Sequence, residues 1–275
     1  MNNGIHFISG LPRSGSTLLA ALLRQNPLLQ SGITSPVGSF VGTMLREMGQ
    51  GNEAAVFVDA GQRRALLRGL FENYYHDVHP TRTVFDVNRG WTMRTELLAD
   101  LFPDSKIICC VRQIPWILDS VERLIRKNMY EVSKIFAFDP SATVYSRAEG
   151  VMAAGGLVGY PLTALKQAMH SAQSHRLLLL PYDTLVSDPA YALAAIYDFT
   201  GLPEYQHDFE NVAFEEKEFD ARLGTPGLHT VRSRVAREDR DTILPPDLFE
   251  RYQATPAWRD PAFNTKQVRI VDVPQ

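Results

Sequence analysis

The chain has 275 residues, 45% of them hydrophobic, and a net charge of −3. That length and apolar content suit one α/β domain with its own core, and the near-balanced charge excludes a polybasic nucleic-acid binder. No apolar stretch approaches the ~18 residues needed to cross a membrane, and no Cys or His spacing is that of a metal site.

In chain order, the first element is the apolar run Ile5–Ser9, which reads as a short buried strand. It begins almost at once and lacks a basic leader, so no secretory signal is expected and a cytoplasmic protein is the simplest reading. A turn from Gly10 to Gly15 follows, then the apolar helix Thr17–Leu23. The turn fits G-x-x-x-x-G, the frame of a Walker phosphate loop, which would continue with Lys and then Ser or Thr. Here Ser16 and Thr17 follow Gly15 directly, and Arg13 sits inside the turn. Backbone N–H groups at a helix N-terminus bind an anion through their donors and the helix dipole. Gly15 lets the backbone approach closely and Pro12 stiffens the turn. Ser14, Ser16 and Thr17 offer hydroxyls, and Arg13 adds a forked positive charge. The blander alternative is a plain glycine-rich turn with a solvated arginine.

Glu47 falls on a helix after the loop Ser35–Phe40, and Thr83–Val87 is the second strand, ending at Asp86–Arg89. A short helix, Glu96–Leu101, stops at Phe102-Pro103-Asp104. The third strand, Lys106–Val111, carries Cys109 and Cys110 side by side. Successive strand residues face opposite ways, so these read as two buried, reduced thiols. The strand ends at Arg112. Helix Trp116–Lys127 follows, with Pro115 in its first turn and an apolar face of Ile117, Leu118, Val121, Leu124 and Ile125. Ser120 lies about one and a half turns in. Arg112 and Ser120 therefore form a second anion-binding pair beside the first loop; their alternatives are a solvated strand end and an ordinary helix-surface serine. Helix Leu162–Ala172, strand Arg176–Leu180 and helix Ala190–Phe199 complete the regular part. Asp188 is the N-cap of the last helix and Gly201 its stop. From Glu204 on the chain is less regular and more charged, and reads as a flap or wrap over the rim within one domain, 1–275.

Alternating strands and helices predict an α/β fold: a mostly parallel central sheet flanked by helices. Ligands in such sheets sit at the carboxyl ends of the strands. That gathers Gly10–Thr17, Asp86–Arg89, Arg112 and Pro181–Asp183 on one rim.

These blocks resemble the sulfotransferases that use 3′-phosphoadenosine 5′-phosphosulfate (PAPS). Leu11-Pro12-Arg13-Ser14-Gly15-Ser16-Thr17 resembles the family's 5′-phosphosulfate loop, and Val111-Arg112 through Ser120 its 3′-phosphate motif. Pro181-Tyr182-Asp183-Thr184-Leu185 with Asp188-Pro189 resembles a third family segment, whose tyrosine lies near the adenine. Ala195 to Leu202 continues the match, and Gly224–Arg234 is similar to the late loop that closes over the cofactor. The nearest resemblance is to tyrosylprotein sulfotransferases and to bacterial sulfotransferases of similar length. It implies a P-loop-like sulfotransferase fold and a PAPS site of Pro12, Arg13, Ser14, Gly15, Ser16, Thr17, Arg112, Ser120, Tyr182, Thr230 and Arg232, with Arg234 also in reach. A sulfuryl group carries less charge than a terminal phosphoryl group, so neither the Walker lysine nor a metal is expected. Arg13 would stand beside the bridging oxygen, where charge grows as the S–O bond breaks.

The family's general base has no obvious counterpart. Neither Ser31–Pro36 nor Phe85–Trp91 holds the glutamate or histidine that relatives place there. Asp86, at a strand end on the rim, is the first candidate, with a turn-capping carboxylate as its alternative. Glu47 and His229 follow, and His6 reads as a core histidine. Trp91 and Trp116 read as core or as stacking surfaces. The acceptor pocket is expected from Ser35–Val58 and Met129–Gly159, the latter with Phe136, Phe138 and Tyr145. The basic stretch Arg123, Arg126, Lys127 and Lys134 reads as a solvated face. The acceptor is a small molecule or a peptide, such as a peptidyl tyrosine; no nucleic-acid or membrane partner is expected, and a homodimer is compatible with the resemblance. Two alternatives stand beside the sulfotransferase: a nucleotide or small-molecule kinase with a Walker-like loop, and a non-catalytic PAPS-binding protein.

Overall fold

The computed structural model describes residues 4–130, 142–212, 214–254 and 256–272. Strands β1 (Ile5–Gly10), β2 (Leu29–Thr34), β3 (Thr83–Val87), β4 (Ile107–Val111), β5 (Leu177–Pro181) and β6 (Arg269–Ile270) form one sheet. Their order is β2-β3-β1-β4-β5-β6, and every pairing is parallel. Strands β1, β3, β4 and β5 are buried throughout, the mark of a sheet covered on both faces. That is why they are continuous apolar runs in the sequence and not alternating ones.

Two strands go beyond the four read from the sequence. β2 contains Gly32 and shifts register between Ser31 and Thr34, so it lacks an apolar run. β6 is two residues long and joins the far edge through Leu178 and Leu179.

One face of the sheet is covered by α1 (Ser16–Leu23), α8 (Tyr182–Ser187) and α9 (Pro189–Thr200). The other is covered chiefly by α2 (Val37–Glu47), α3 (Ala60–Tyr74), α4 (Thr95–Leu101), α5 (Ile114–Lys127), α6 (Val144–Met152) and α7 (Gly159–His170). Cys109 joins this second core and Cys110 the first. The two thiols are free and buried, on opposite faces as the strand period requires. Helix α5 buries Ile117, Leu118, Val121, Leu124 and Ile125 with Pro115 at its start, and α9 is capped by Asp188, whose carboxylate accepts from Tyr191 N at 3.0 Å. Each fully buried leucine of this kind contributes about 1.5–3 kcal/mol.

Beyond residue 204 the described chain holds α10 (Lys217–Arg222), α11 (Pro246–Arg251) and β6 among irregular segments. A buried carboxylate ties part of this region to α5. Asp119, fully buried, accepts from Arg123 Nε (2.9 Å), Arg240 (2.8 Å), Thr242 Oγ1 (3.2 Å) and Ile243 N (2.8 Å). Among the described residues, no helix is long and apolar enough to cross a membrane.

Candidate active site

β1 delivers the chain into the anion loop across a close contact. Gly10 has φ +107°, and a Cβ there would lie 2.2 Å from Cys110 O on β4. The loop itself contains two left-handed residues, Arg13 (φ 58°) and Gly15 (φ 92°). At Arg13 this conformation is unfavourable by roughly 1–2 kcal/mol; left-handed residues in such turns direct successive N–H groups into one concavity. Gly15 precedes α1 as its N-cap and provides no side-chain cap. The first N–H groups of α1 are therefore open to an anion. A side chain at Gly15 would press on Tyr182 and Leu185, both 3.1 Å away.

A cavity of about 900 Å³ opens at this rim, within the range of small-molecule sites. Pro12, Arg13, Gly15, Ser16, Thr17, Arg112, Ser120, Tyr182, Thr230 and Arg232 all line it. Ser14 does not. It is fully buried and its hydroxyl turns back to Pro12 O at 3.3 Å, so only its backbone faces the loop.

Arg13 joins the two anion motifs. Its Nε donates to Ser120 Oγ at 3.0 Å, and its Nη1 donates to Leu228 O of the late loop. Arg112 donates to Arg13 O at 3.2 Å and lays its guanidinium over the Tyr182 ring, 4.1 Å from the centroid. Burial pushes both arginine pKa values down, and for Arg13 the next cause is the charge of Arg112. Both remain cations. Among the described residues, neither has an ion pair. Two desolvated cations side by side, neither paired with a carboxylate among the described residues, make a strong anion site. Arg240 adds a third charge on the cavity wall, held by Asp119.

The structure corrects the first choice of base. Asp86 is fully buried and does not line the cavity. Its carboxylate accepts from Ser35 Oγ (2.8 Å), Tyr75 OH (2.7 Å) and Trp91 Nε1 (2.7 Å). Burial raises its pKa, opposed by these three hydrogen bonds. It is a knot tying β3 to the start of α2 and the end of α3. Glu47 is exposed and accepts from Asn52 at 2.7 Å, away from the cavity. His6 is a core residue: its Nδ1 accepts from Lys106 N at 3.1 Å.

His229, in contrast, lines the cavity next to the carbonyl that holds Arg13. Its Nδ1 lies 2.6 Å from Asp220 Oδ1, and its backbone N–H donates to Asp220 Oδ2 at 2.8 Å. Asp220 is 1% exposed. A carboxylate at Nδ1 fixes the proton there and leaves Nε2 as the acceptor. The sequence reading included His229 but missed Asp220, Asp119 and Arg240. Each is an ordinary charged residue in a charged segment, with no spacing signal.

The expected acceptor walls change as well. Among the described residues, none of 35–58 lines the cavity, and Leu157 alone does so from 129–159; Ile33 and Thr34 do line it. Lys134, Phe136 and Phe138 lie outside the described residues. Tyr145 bonds to Asp247 at 2.9 Å. Trp116 lines the cavity, while Trp91 is core.

A parallel sheet with helices on both faces, a glycine loop opening α1 and a second cation motif after β4 define an α/β fold of the phosphate-loop type. A family model described as the sulfotransferase family matches residues 6–207, and the chain belongs to that family. Among solved structures it is similar to the sulfotransferase domain from the curacin biosynthetic pathway, at 18% identity and TM-score 0.52, over 99% of this chain and 93% of that one. It is also similar to a sulfotransferase from Alicyclobacillus acidocaldarius (15%, TM-score 0.49, 81% of this chain and 90% of that one). A third likeness is to mouse sulfotransferase SULT7A1 complexed with PAP (16%, TM-score 0.45, 75% and 60%). No curated protein sequence matches.

Proposed function

We propose that the protein transfers a sulfuryl group from PAPS to a hydroxyl or amine of a small-molecule or peptide acceptor. The observation that carries this reading is the junction of two anion motifs, Arg13 to Ser120 at 3.0 Å with Arg112 stacked on Tyr182. Two cation groups without ion-pair partners among the described residues, beside an aromatic ring, suit a nucleotide with two separate anionic groups. The loop N–H groups, Ser16, Thr17 and Arg13 would hold the 5′ side. Arg112 and Ser120 would hold the 3′-phosphate, Tyr182 the adenine, and Thr230 and Arg232 the outer face. When bound, PAPS supplies a sulfuryl group activated as a mixed anhydride. Arg13 stabilises charge where the bond to the leaving phosphate breaks. His229 takes the acceptor proton at Nε2, with Asp220 holding the ring.

Calorimetric titration with 3′-phosphoadenosine 5′-phosphate (PAP), beside ATP with magnesium, tests the reading. PAP is expected to bind and ATP not. Arg112→Ala should weaken PAP by about 10–100-fold, the loss of one or two charged hydrogen bonds. Arg13→Ala should mainly slow turnover, by about 10²-fold or more. Binding of magnesium ATP alone would overturn the donor and point to a kinase.

A further inference from the structure

A second pair of cations stands outside the cavity, on the β2–β3 side of the sheet. Helix α2 follows β2, and the short 3-10 turn Trp91–Arg94 follows β3. Along α2, Gly38, Gly42 and Arg46 recur at helical spacing and share one face. Arg94 lies against that face. Its Nη1 donates to Gly38 O at 2.7 Å, and its guanidinium sits over the Trp91 ring, 5.9 Å from the centroid. Arg46 is steadied by its own helix, donating from Nη2 to Thr43 Oγ1 at 3.0 Å. The two guanidiniums meet beside Gly42. A Cβ there would lie 2.9 Å from Arg94 Nη2 and 4.0 Å from Arg46 Nη1.

No carboxylate neutralises the pair. Among the described residues, neither arginine has an ion pair, and Arg94 Nη2 and Arg46 Nη1 have no acceptor. Arg46 is exposed and Arg94 half-buried. Burial pushes the Arg94 pKa down; Tyr160 opposes this, and the charge of Arg46 adds to it. Arg94 remains a cation. Two like charges held near each other repel, and an anion between them turns that repulsion into attraction. Gly38, Gly42, Arg46 and Arg94 do not line the cavity, so this pair is separate from the two anion motifs of the donor side.

We propose that Arg46 and Arg94 form a binding site for a phosphate dianion, with Gly42 keeping the helix surface bare between them. A phosphate monoester carries a charge of about −1.5 to −2 and three acceptor oxygens. That matches two guanidiniums, each a planar fork of donors. The phosphate is either the free ion or a group borne by a larger molecule. The site lies outside the cavity and does not rest on the PAPS reading.

Calorimetry with inorganic phosphate and with phenyl phosphate tests the site. Wild type, Arg46→Gln and Arg94→Gln are compared, and the readout is the binding that the substitutions remove, which separates this site from the anion loop. Both variants should lose about tenfold or more in affinity, with PAP affinity unchanged. Tighter binding of phenyl phosphate assigns the site to a phosphate on a larger molecule; equal or tighter binding of inorganic phosphate assigns it to the free ion. Arg46 is exposed, so Arg46→Gln serves even if Arg94→Gln misfolds. Gly42→Asp sets a carboxylate in the anion's place. It should melt higher than Gly42→Asn and lose the Arg46-dependent binding. Three results would each overturn the proposal: phosphate binding unchanged in Arg46→Gln, no binding beyond what PAP displaces, or Gly42→Asp melting no higher than Gly42→Asn. Failure of PAP to bind would sink the donor reading and leave the comparison of the variants intact.

Discussion

At Asp220 and His229, a lone ring becomes a directed one. With Nδ1 facing a carboxylate at 2.6 Å, the imidazole has one tautomer and one orientation, and Nε2 is its only basic site. His229→Gln is therefore expected to lower kcat by about 10²–10⁴-fold. PAP affinity should be unchanged. A variant with unchanged kcat would remove His229 from the chemistry. The histidine itself was readable from its position in a late loop. Its partner was not, because the pairing depends on a chain reversal between the two. Gly224 and Gly227, both at positive φ, provide that reversal, and only three-dimensional closure brings the carboxylate under the ring. Asp86 misled for the opposite reason. A carboxylate at a strand end on the rim looks the same in sequence whether it faces the ligand or the core.

Whole elements were more legible where they are uniform. β1, β3, β4 and β5 are apolar runs, and α5 and α9 carry both a periodic face and a start signal. Their spans differ from the expected ones by only a few residues at either end. α3 was missed although Asp59 and Gln62 form a capping box at its start, because it buries only Leu67 and Phe71 and its apolar period is weak. β2 and β6 were missed because pairing, not composition, makes them strands. The β2–β3–α3 junction also has its own energetic signature. Asp86→Ala would leave three donors, from Ser35, Tyr75 and Trp91, without their acceptor, two of them buried. The expected loss is about 3 kcal/mol or more. It should appear as a lower urea midpoint, with PAP affinity of the folded protein preserved. A large fall in kcat at unchanged stability would return Asp86 to the reaction.

Taken whole, the molecule holds a pH dependence in its first strand. Burial pushes the His6 pKa down to about 4, so the folded protein keeps this ring neutral. The unfolded chain binds a proton there near 6.5. His6 thus adds no penalty above about pH 6.5, and stability falls as pH drops from there toward 4. Between pH 7.5 and pH 5 the expected loss from this group is about 2 kcal/mol. Urea denaturation at the two pH values checks it: His6→Phe should show a correspondingly smaller difference, and an equal difference in both proteins would refute the assignment. The C-terminal region has a different consequence, one of timing. Arg13 and the anion loop are synthesised before Asp220, His229 and Arg240, which come from the late part of the chain. At about 5–20 residues per second, roughly ten to forty seconds separate Arg13 from His229. Leu228, whose carbonyl holds Arg13, and Thr230 and Arg232 on the cavity wall come from the same late stretch, so the cavity is complete only once that stretch has been made.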